Sequence, residues 1–326
     1  MSTGPNNSIT DIQGITVGCA EDAAAKTGVT LLLPEGRLRA AVDVRGGAPG
    51  TRETDTLRPG ALADEVHGVV LSGGSVYGLA AADSVCRLLG AAGRGYGMVQ
   101  REGVPQSPIV PAAILYDLAN DGDKNWGTEP PYAALGEQAF HAASDSVRLG
   151  PFGAGIGATA GAYPGGLGTA SWVTADGITI AALVAANPFG SPYVPGTKQF
   201  WAAPFEVNDE FGGRGFPSEA SAAGLPPDTK MGTATRSNTT IAIIATDADL
   251  PVTELERLAI MAQDGLARAI RPAHAPVDGD VVFAVTTAAK EVSMPLFMAS
   301  GILGSIAGDV MARAIARGIY AADSSR

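Results

Sequence analysis

A threonine that follows an asparagine, Asn238-Thr239, stands where a polar loop meets an apolar, β-branched stretch at residues 241–246. If the peptide bond between the two residues were cut, Thr239 would carry a hydroxyl and a free α-amine side by side. A threonine hydroxyl is a weak nucleophile alone, and an adjacent amine that titrates near ~7.7–8.0 can serve as its base. The pattern therefore allows a precursor that becomes an enzyme on cleavage. It also fits an ordinary loop-to-strand boundary, since β-branched residues suit strands.

A pair of carboxylates, Asp278-Gly279-Asp280, precedes the apolar run at residues 281–285. Side chains alternate along a strand, so two residues separated by one glycine point the same way if the second begins the strand. Such a pair can hold a protonated α-amine and orient a hydroxyl. The same three residues also fit a plain Asp-Gly turn without a catalytic role.

Other motifs do not complete a recognised site. Residues 73–77 resemble a nucleophile elbow but lack its closing glycine. The glycines at 93, 95 and 97 do not have the dinucleotide-binding spacing, and no lysine follows a glycine run as in a phosphate-binding loop. The histidines lack metal-ligand spacing, which favours packing or surface positions for His67, His141 and His274. We therefore expect neither a metal nor an organic cofactor.

Composition narrows the partners and the compartment. The chain has 326 residues, of which 46% are hydrophobic and 17% charged, as is typical of a globular protein with a substantial core. Its net charge of −11 argues against nucleic acid or an anionic membrane as a partner. Cys19 and Cys86 lack a CxxC neighbour and no signal peptide is visible, so we expect buried thiols in a cytoplasmic protein.

The elements that must position these residues mix strands and helices without strict βα alternation. This favours a layered α+β fold over a doubly wound sheet. The hydrophobic patterns predict strands at 15–18, 29–34, 40–44, 112–118, 169–173, 178–185, 241–246 and 280–287, and helices at about 79–89, 133–143, 253–269 and 296–322.

Four local patterns sharpen that outline. Asp176-Gly177 predicts a hairpin turn, and Thr253-Glu254-Leu255-Glu256 predicts a capping box that opens a helix. Residues 189–237 are rich in Pro, Gly and Ser and lack periodicity, which predicts a long exposed loop or mobile linker. The C-terminal stretch predicts an amphipathic helix and not a membrane span, because charges interrupt it at Asp309, Arg313 and Arg317.

Taken together, the motifs resemble the self-cleaving N-terminal-nucleophile hydrolases of the DmpA type, and most of all the nylon-oligomer hydrolase (NylC) branch of that family. The likeness runs from about residue 15 to residue 311. The matching motifs, in chain order, are Asp43-Val44-Arg45-Gly46-Gly47-Ala48, Ile114-Leu115-Tyr116-Asp117, the glycine tract at 153–161, Asn187-Pro188, Asn238-Thr239-Thr240-Ile241 and Asp278-Gly279-Asp280.

The resemblance implies a role for each matching residue. Thr239 would be the nucleophile after autocleavage at Asn238, Asp278 and Asp280 would orient it, and Asn187 and Tyr116 would polarise the scissile carbonyl or stabilise its oxyanion. The aminopeptidase branch uses a serine nucleophile, with serine and glutamate at the two acidic positions. This chain is similar to the nylon-hydrolase branch at all three.

The resemblance also implies an architecture and a substrate. We expect one hydrolase domain over residues 1–326, folded as a four-layer αββα sandwich and cleaved into a large subunit, 1–238, and a small subunit, 239–326. The family likeness implies a homotetramer of processed protomers and a linear amide substrate, such as an oligomer of 6-aminohexanoate. Two alternatives stay open: an aminopeptidase acting on short or β-amino-acid peptides, and an unprocessed homologue that binds a small ligand.

One departure from the family pattern concerns a lysine that often follows the glycine tract. Here that position lies within Gly161-Ala162-Tyr163. The sequence therefore predicts that the cation which assists processing or substrate binding is missing from this chain.

Overall fold

The structure is a computed structural model, and it describes residues 2–99, 101–218, 224–232 and 238–324. The strands are β1 (Ile15–Asp22), β2 (Thr27–Pro34), β3 (Leu38–Val44), β4 (Thr51–Arg52), β5 (Glu65–Val66), β6 (Val69–Ser72), β7 (Ala112–Ile114), β8 (Thr159–Ala160), β9 (Tyr163–Pro164), β10 (Gly166–Val173), β11 (Thr179–Asn187), β12 (Thr239–Ala248) and β13 (Val281–Lys290). The α-helices are α1 (Ala80–Ala91), α2 (Tyr132–His141), α3 (Val252–Ala269) and α4 (Leu296–Ser324).

Two large sheets pack face to face. One has five strands in the order β1-β2-β6-β7-β4, and the other has six in the order β10-β11-β12-β13-β3-β5. Between them lie fully buried apolar side chains, among them Leu32 and Leu71 of the first sheet and Ile243 and Phe283 of the second. Alternate residues of β12, such as Ile244, face the other way, because side chains along a strand alternate between its two faces.

Helices cover the outer face of each sheet. Helices α1 and α2 bury Val85 and Tyr132 against the five-stranded sheet. Helices α3 and α4 bury Leu258 and Met311 against the six-stranded sheet. The order of layers is therefore helix, sheet, sheet, helix, and the expected α+β αββα sandwich is confirmed.

Strand register gathers four chain segments at one end of the six-stranded sheet. Asn187, the last residue of β11, pairs with Thr239, the first residue of β12. Strand β13 runs parallel to β12, so it begins at the same end, and antiparallel β3 finishes there, with Val281 opposite Val44. The loops that enter and leave these strands are consequently neighbours in space.

The C-terminal helix belongs to the core. By length and composition alone α4 could cross a membrane, but much of it is buried against the six-stranded sheet. The charged residues that interrupt its apolar sequence do not all face solvent, because Arg313 is buried. The Arg313 Nε lies 2.5 Å from the Glu210 carboxylate, and the guanidinium also donates to the Ser171 carbonyl at 3.0 Å. A buried guanidinium is tolerated here because it has these partners.

Two local predictions need correction and one is confirmed. The hairpin at Asp176-Gly177 joins β10 to β11 as expected. The capping box is wrong: Pro251 occupies the N-cap of α3 without a side-chain cap bond, so Thr253 already lies inside the first turn. Residues 189–218 are irregular but not an exposed linker, because they bury three aromatic side chains in the core, Tyr193, Phe200 and Phe211. The remainder of the predicted linker includes 219–223 and 233–237, which lie outside the described residues.

Candidate active site

The predicted site residues meet at the end of the six-stranded sheet described above. The side chains of Asn187, Thr239, Asp278 and Asp280 are all buried there, and none of these residues is more than 3% exposed. The Thr239 hydroxyl contacts the carbonyl oxygen of Asn238, the residue before it. The nucleophile candidate thus lies against the peptide group whose cleavage would release its amine.

A glycine between the two acids allows the hydroxyl to approach them. A β-carbon placed on Gly279 would lie 2.8 Å from the Thr239 Oγ and 2.6 Å from the Ala48 carbonyl oxygen, closer than real side chains come. The backbone of the acidic turn can therefore lie this close to the hydroxyl only because residue 279 has no side chain.

Backbone amides hold both carboxylates. Asp280 accepts from the Thr240 N–H at 2.7 Å through Oδ1 and from the His274 N–H at 3.1 Å through Oδ2. Asp278 accepts from the N–H groups of Phe189 and Ala275, each at 3.0 Å. The two acids thereby tie the end of β11 and the start of β12 to a single turn.

Burial raises the pKa of the Asp278 carboxyl to about 6, and the neighbouring Asp280 carboxylate acts in the same direction. The N–H groups of Phe189 and Ala275 and the Lys230 ammonium oppose this rise. Burial disfavours the charged form, and a like charge disfavours it further. Asp278 can therefore take up or release a proton near neutral pH, as a group that assists proton transfer must.

The upstream motif at residues 43–48 forms backbone hydrogen bonds with the acidic turn at residues 278–280. The N–H groups of Arg45 and Gly46 donate to the Asp280 carbonyl at 3.0 and 3.3 Å, and the Ala48 N–H donates to the Asp278 carbonyl at 2.8 Å. A β-carbon on Gly46 would lie 2.2 Å from the Asp280 nitrogen. The motif's glycine is thus explained by close backbone packing and not by contact with a substrate.

Asn187 is held by partners on both ends of its carboxamide. Its Nδ2 donates to the Tyr116 carbonyl at 3.0 Å, and its Oδ1 accepts from the Thr159 N–H at 2.9 Å. Tyr116 therefore reaches the site through its backbone, while its side chain is 37% exposed. A role for the Tyr116 hydroxyl stays a prediction.

Lys230 belongs to the site but was not predicted from the sequence. Its Nζ lies 3.0 Å from Oδ1 and 3.1 Å from the carbonyl oxygen of Asn187, and the residue is only 4% exposed. Burial lowers the pKa of this ammonium to about 7, with the Asp278 charge opposing the shift. The glycine tract itself carries Ala162 and not a lysine, but a lysine from a different segment of the chain lies beside Asn187.

His274 was also missed. Its Nδ1 lies 2.8 Å from the Asp280 Oδ2, and its backbone adopts φ +55, a left-handed conformation that brings its own N–H to the same oxygen. No cluster of three or more potential metal-binding side chains occurs within residues 2–99, 101–218, 224–232 and 238–324.

Comparison with known proteins assigns the chain to a family. The model of peptidase family S58 matches residues 7–326. The chain belongs to peptidase family S58. An uncharacterized aminopeptidase of Mycobacterium tuberculosis (strain ATCC 25618 / H37Rv) is 42% identical over 331 residues, covering 96% of this chain and 93% of that protein. A 6-aminohexanoate-oligomer endohydrolase of Kocuria sp. (strain KY2) is 32% identical over 330 residues, covering 95% and 85%.

Solved structures agree with the layered fold of this S58 peptidase. An L-aminopeptidase D-Ala-esterase/amidase from Ochrobactrum anthropi, described as a variant of the Ntn hydrolase fold, superposes with a TM-score of 0.71 at 22% identity, covering 98% of this chain and 87% of that one. A Burkholderia sp. beta-aminopeptidase superposes with a TM-score of 0.70 at 23% identity, covering 98% and 88%. Family and fold together make the chain a hydrolase of amide or peptide bonds.

The two residues missed in this S58 site differ in how visible they were. His274 lies six residues before Asp280, so proximity to the acidic turn was a usable signal. Lys230 lies in an aperiodic segment with no motif around it, and only the fold brings it to Asn187.

Proposed function

We propose that this S58 protein is an autoprocessed threonine amide hydrolase that cuts itself between Asn238 and Thr239 and then uses Thr239 as an N-terminal nucleophile. The observation that carries the proposal is the contact of the Thr239 hydroxyl with the Asn238 carbonyl, directly beside the Asp278-Gly279-Asp280 turn. Cleavage would leave chains 1–238 and 239–326 interleaved in one six-stranded sheet, since β11 and β12 belong to different products.

Processing begins with attack of the Thr239 Oγ on the Asn238 carbonyl carbon. The carbon–nitrogen bond then breaks, the nitrogen takes up a proton to become the Thr239 amine, and an ester joins Asn238 to the hydroxyl oxygen. Water hydrolyses that ester, leaving a carboxylate on Asn238 and restoring the hydroxyl. We assign stabilisation of the oxyanion in both steps to the Asn187 carboxamide, because amide N–H donors lower the energy of such an intermediate.

Substrate turnover repeats the same chemistry with the new α-amine as base. The amine takes the hydroxyl proton as Oγ attacks the substrate carbonyl, and it returns that proton to the departing amine. The resulting acyl-enzyme is hydrolysed by water. We assign to Asp278 and Asp280 the holding of the protonated amine, because both flank Gly279, whose added β-carbon would lie 2.8 Å from the Thr239 Oγ, and Asp280 accepts from the neighbouring Thr240 N–H.

The buried side chain of Asn238 supports cleavage as a favourable event. The residue is 3% exposed, and neither its Nδ2 nor its Oδ1 makes a hydrogen bond within the part of the chain that the structure describes. A buried polar group without a partner costs on the order of 1–3 kcal/mol. Cleavage makes Asn238 a chain end that can leave this environment and be hydrated.

For the substrate, we propose linear amides of ω-amino acids such as 6-aminohexanoate oligomers. Support comes from the Kocuria endohydrolase and from the threonine and two aspartates, which match the nylon-hydrolase branch in the sequence resemblance. The second candidate is an aminopeptidase, favoured by the mycobacterial relative at 42% identity. Oligoamides with free and acetylated amino ends separate the two, since an aminopeptidase requires the free amine.

For assembly and location, we propose a cytoplasmic homotetramer of processed protomers. Exposed apolar side chains at the start of α4 support association between subunits, among them Phe297 at 74% exposure. Cys19 and Cys86 are free thiols, as suits a reducing compartment. Light scattering of the processed protein tests the tetramer.

The decisive test compares intact mass and amidase activity for the wild type, Thr239→Ala and Thr239→Ser. We expect two chains and turnover in the wild type, and one uncut, inactive chain in Thr239→Ala. Thr239→Ser keeps a hydroxyl and should be cut and active. An uncut wild type with normal turnover, or an active Thr239→Ala, would overturn the proposal. An uncut wild type without turnover would support the ligand-binding alternative.

A further inference from the structure

The burial of Lys230 calls for a functional reason. Lysine is almost never fully buried unless it is paired, because removing an ammonium from water is costly. Here the residue is 4% exposed, and its Nζ contacts two oxygens of one residue, Asn187. Those oxygens belong to a residue paired directly with the candidate nucleophile Thr239.

The segment that carries Lys230 is fastened in place from several directions. The Lys230 N–H donates to the Phe189 carbonyl at 3.1 Å, and the Asp228 carboxylate accepts from the Ser191 hydroxyl at 2.6 Å. The Asp228 carbonyl accepts from the Ala162 N–H at 2.8 Å. The backbone that carries Lys230 is therefore held in one position, which directs its side chain into the site.

The segment at residues 228–230 packs on the glycine tract. A β-carbon on Gly161 would be 2.4 Å from the Asp228 carbonyl oxygen, so the two segments are in close backbone contact. The segment leading to Lys230 therefore packs directly on the end of the glycine tract.

We propose that Lys230 is a positioning residue that fixes the Asn187 carboxamide for oxyanion stabilisation. This inference rests on the proposed function of the site. Lys230 would act through Asn187 and not by touching the substrate.

Hydrogen-bond polarity supports this role. An amide presents an acceptor at one end and donors at the other. The Asn187 Oδ1 faces two donors, the Thr159 N–H and the Lys230 Nζ, while Nδ2 faces the Tyr116 carbonyl. Rotating the carboxamide by half a turn would set its NH₂ against those donors. Lys230 thus opposes the rotation, because its Nζ can donate to Oδ1 and not to an NH₂ group.

The experiment compares Lys230→Met, Lys230→Gln and the control Lys198→Met in the full-length chain. Methionine keeps the length without donors, and glutamine restores a neutral donor. Lys198 is half-exposed, lies over the Tyr163 ring and serves as a matched lysine outside the site. Three quantities are measured: the rate of processing by intact mass, kcat and KM of the processed fraction on a 6-aminohexanoate oligomer, and the melting temperature.

For Lys230→Met we expect processing and kcat to fall by about 10²-fold, as when an oxyanion-hole group is disturbed, with KM changed less than about threefold. The melting temperature should change little, because relief from burying an ammonium offsets the two hydrogen bonds that Asn187 loses. Lys230→Gln should recover at least about tenfold of the loss, and Lys198→Met should match the wild type.

Two results would overturn the inference. One is processing and turnover of Lys230→Met within twofold of the wild type. The other is a loss of activity that comes with a fall in melting temperature and is not relieved in Lys230→Gln, because that is the signature of a structural role. Failure of the proposed function is recognised separately, because Thr239→Ala would then remain active. If the wild type is cut but does not hydrolyse the oligomer, the processing rates of the Lys230 variants still decide the inference.

Discussion

Replacing Gly279 by alanine tests the close approach of the acidic turn to Thr239, the proposed nucleophile. The added β-carbon would begin 2.8 Å from the Thr239 Oγ and 2.6 Å from the Ala48 carbonyl oxygen, whereas ordinary contacts begin at 3.4 Å. The carbonyl, a backbone atom, and the hydroxyl, which can move only by rotating a stiff β-branched side chain, must then retreat by about 0.8 and 0.6 Å respectively. A displacement approaching 1 Å at a reacting atom costs on the order of 10²-fold in rate.

We therefore expect Gly279→Ala to slow processing by about 10²-fold and to destabilise the chain by about 1–3 kcal/mol, the usual cost of overpacking. Intact mass over time measures the first effect and urea unfolding the second. Gly301→Ala is the matched control, since its β-carbon meets nothing within 4 Å and lies on the exposed side of α4. It should process normally and gain up to about 1 kcal/mol from helix propensity. Normal processing of Gly279→Ala would refute the geometric argument.

Three further predictions concern the uncut Thr239→Ala chain, whose stability can be measured without processing. Because burial raises the folded-state pKa of Asp278 from 3.8 to about 6, the folded chain holds a proton that the unfolded chain releases earlier, so stability falls as pH rises from about 4 to 6. Asp278→Asn should flatten that fall in melting temperature; an unchanged slope would contradict the assignment. Adding Asn238→Ala should raise the unfolding free energy in urea by about 1 kcal/mol or more, because two unpaired buried polar atoms disappear, and a loss of stability would count against it. Arg313→Met should lower that free energy by about 3 kcal/mol, because the Glu210 carboxylate stays buried without its main partner. Glu210→Gln added to it should restore part of the loss, and no recovery would show that the ion pair is not the cause.

Local patterns were sufficient where one segment decides its own state. The β-branched run after Thr239 is a central strand with all residues buried, and alternation along it places Ile243 between the sheets and Ile244 under the helices. The Asp176-Gly177 turn joins two strands that pair in register along their whole length. Hydrophobic periodicity reports which faces of a segment are buried, so it predicts strands whose state is decided by burial.

Patterns failed where a segment packs by isolated contacts. Residues 189–218 have no periodicity, yet Tyr193, Phe200 and Phe211 anchor them in the core. Pro251, and not Thr253, is the N-cap of α3. The N-cap residue is set by the backbone dihedral angles where the helix begins, and the spacing of a capping box does not report those angles. In both cases the deciding interaction lies outside the window that the pattern covers.

The amino-acid sequence by itself determined the loop-to-strand junction at Asn238-Thr239, the acidic turn and the layered class of the fold, because each depends on residue types within a short stretch. Only the tertiary structure decided that Lys230 and His274 belong to the same site, and that Tyr116 enters it through its carbonyl. The physical reason is strand register: pairing β11, β12, β13 and β3 at one end of a sheet sets distant loops side by side, and no spacing along the chain encodes that distance.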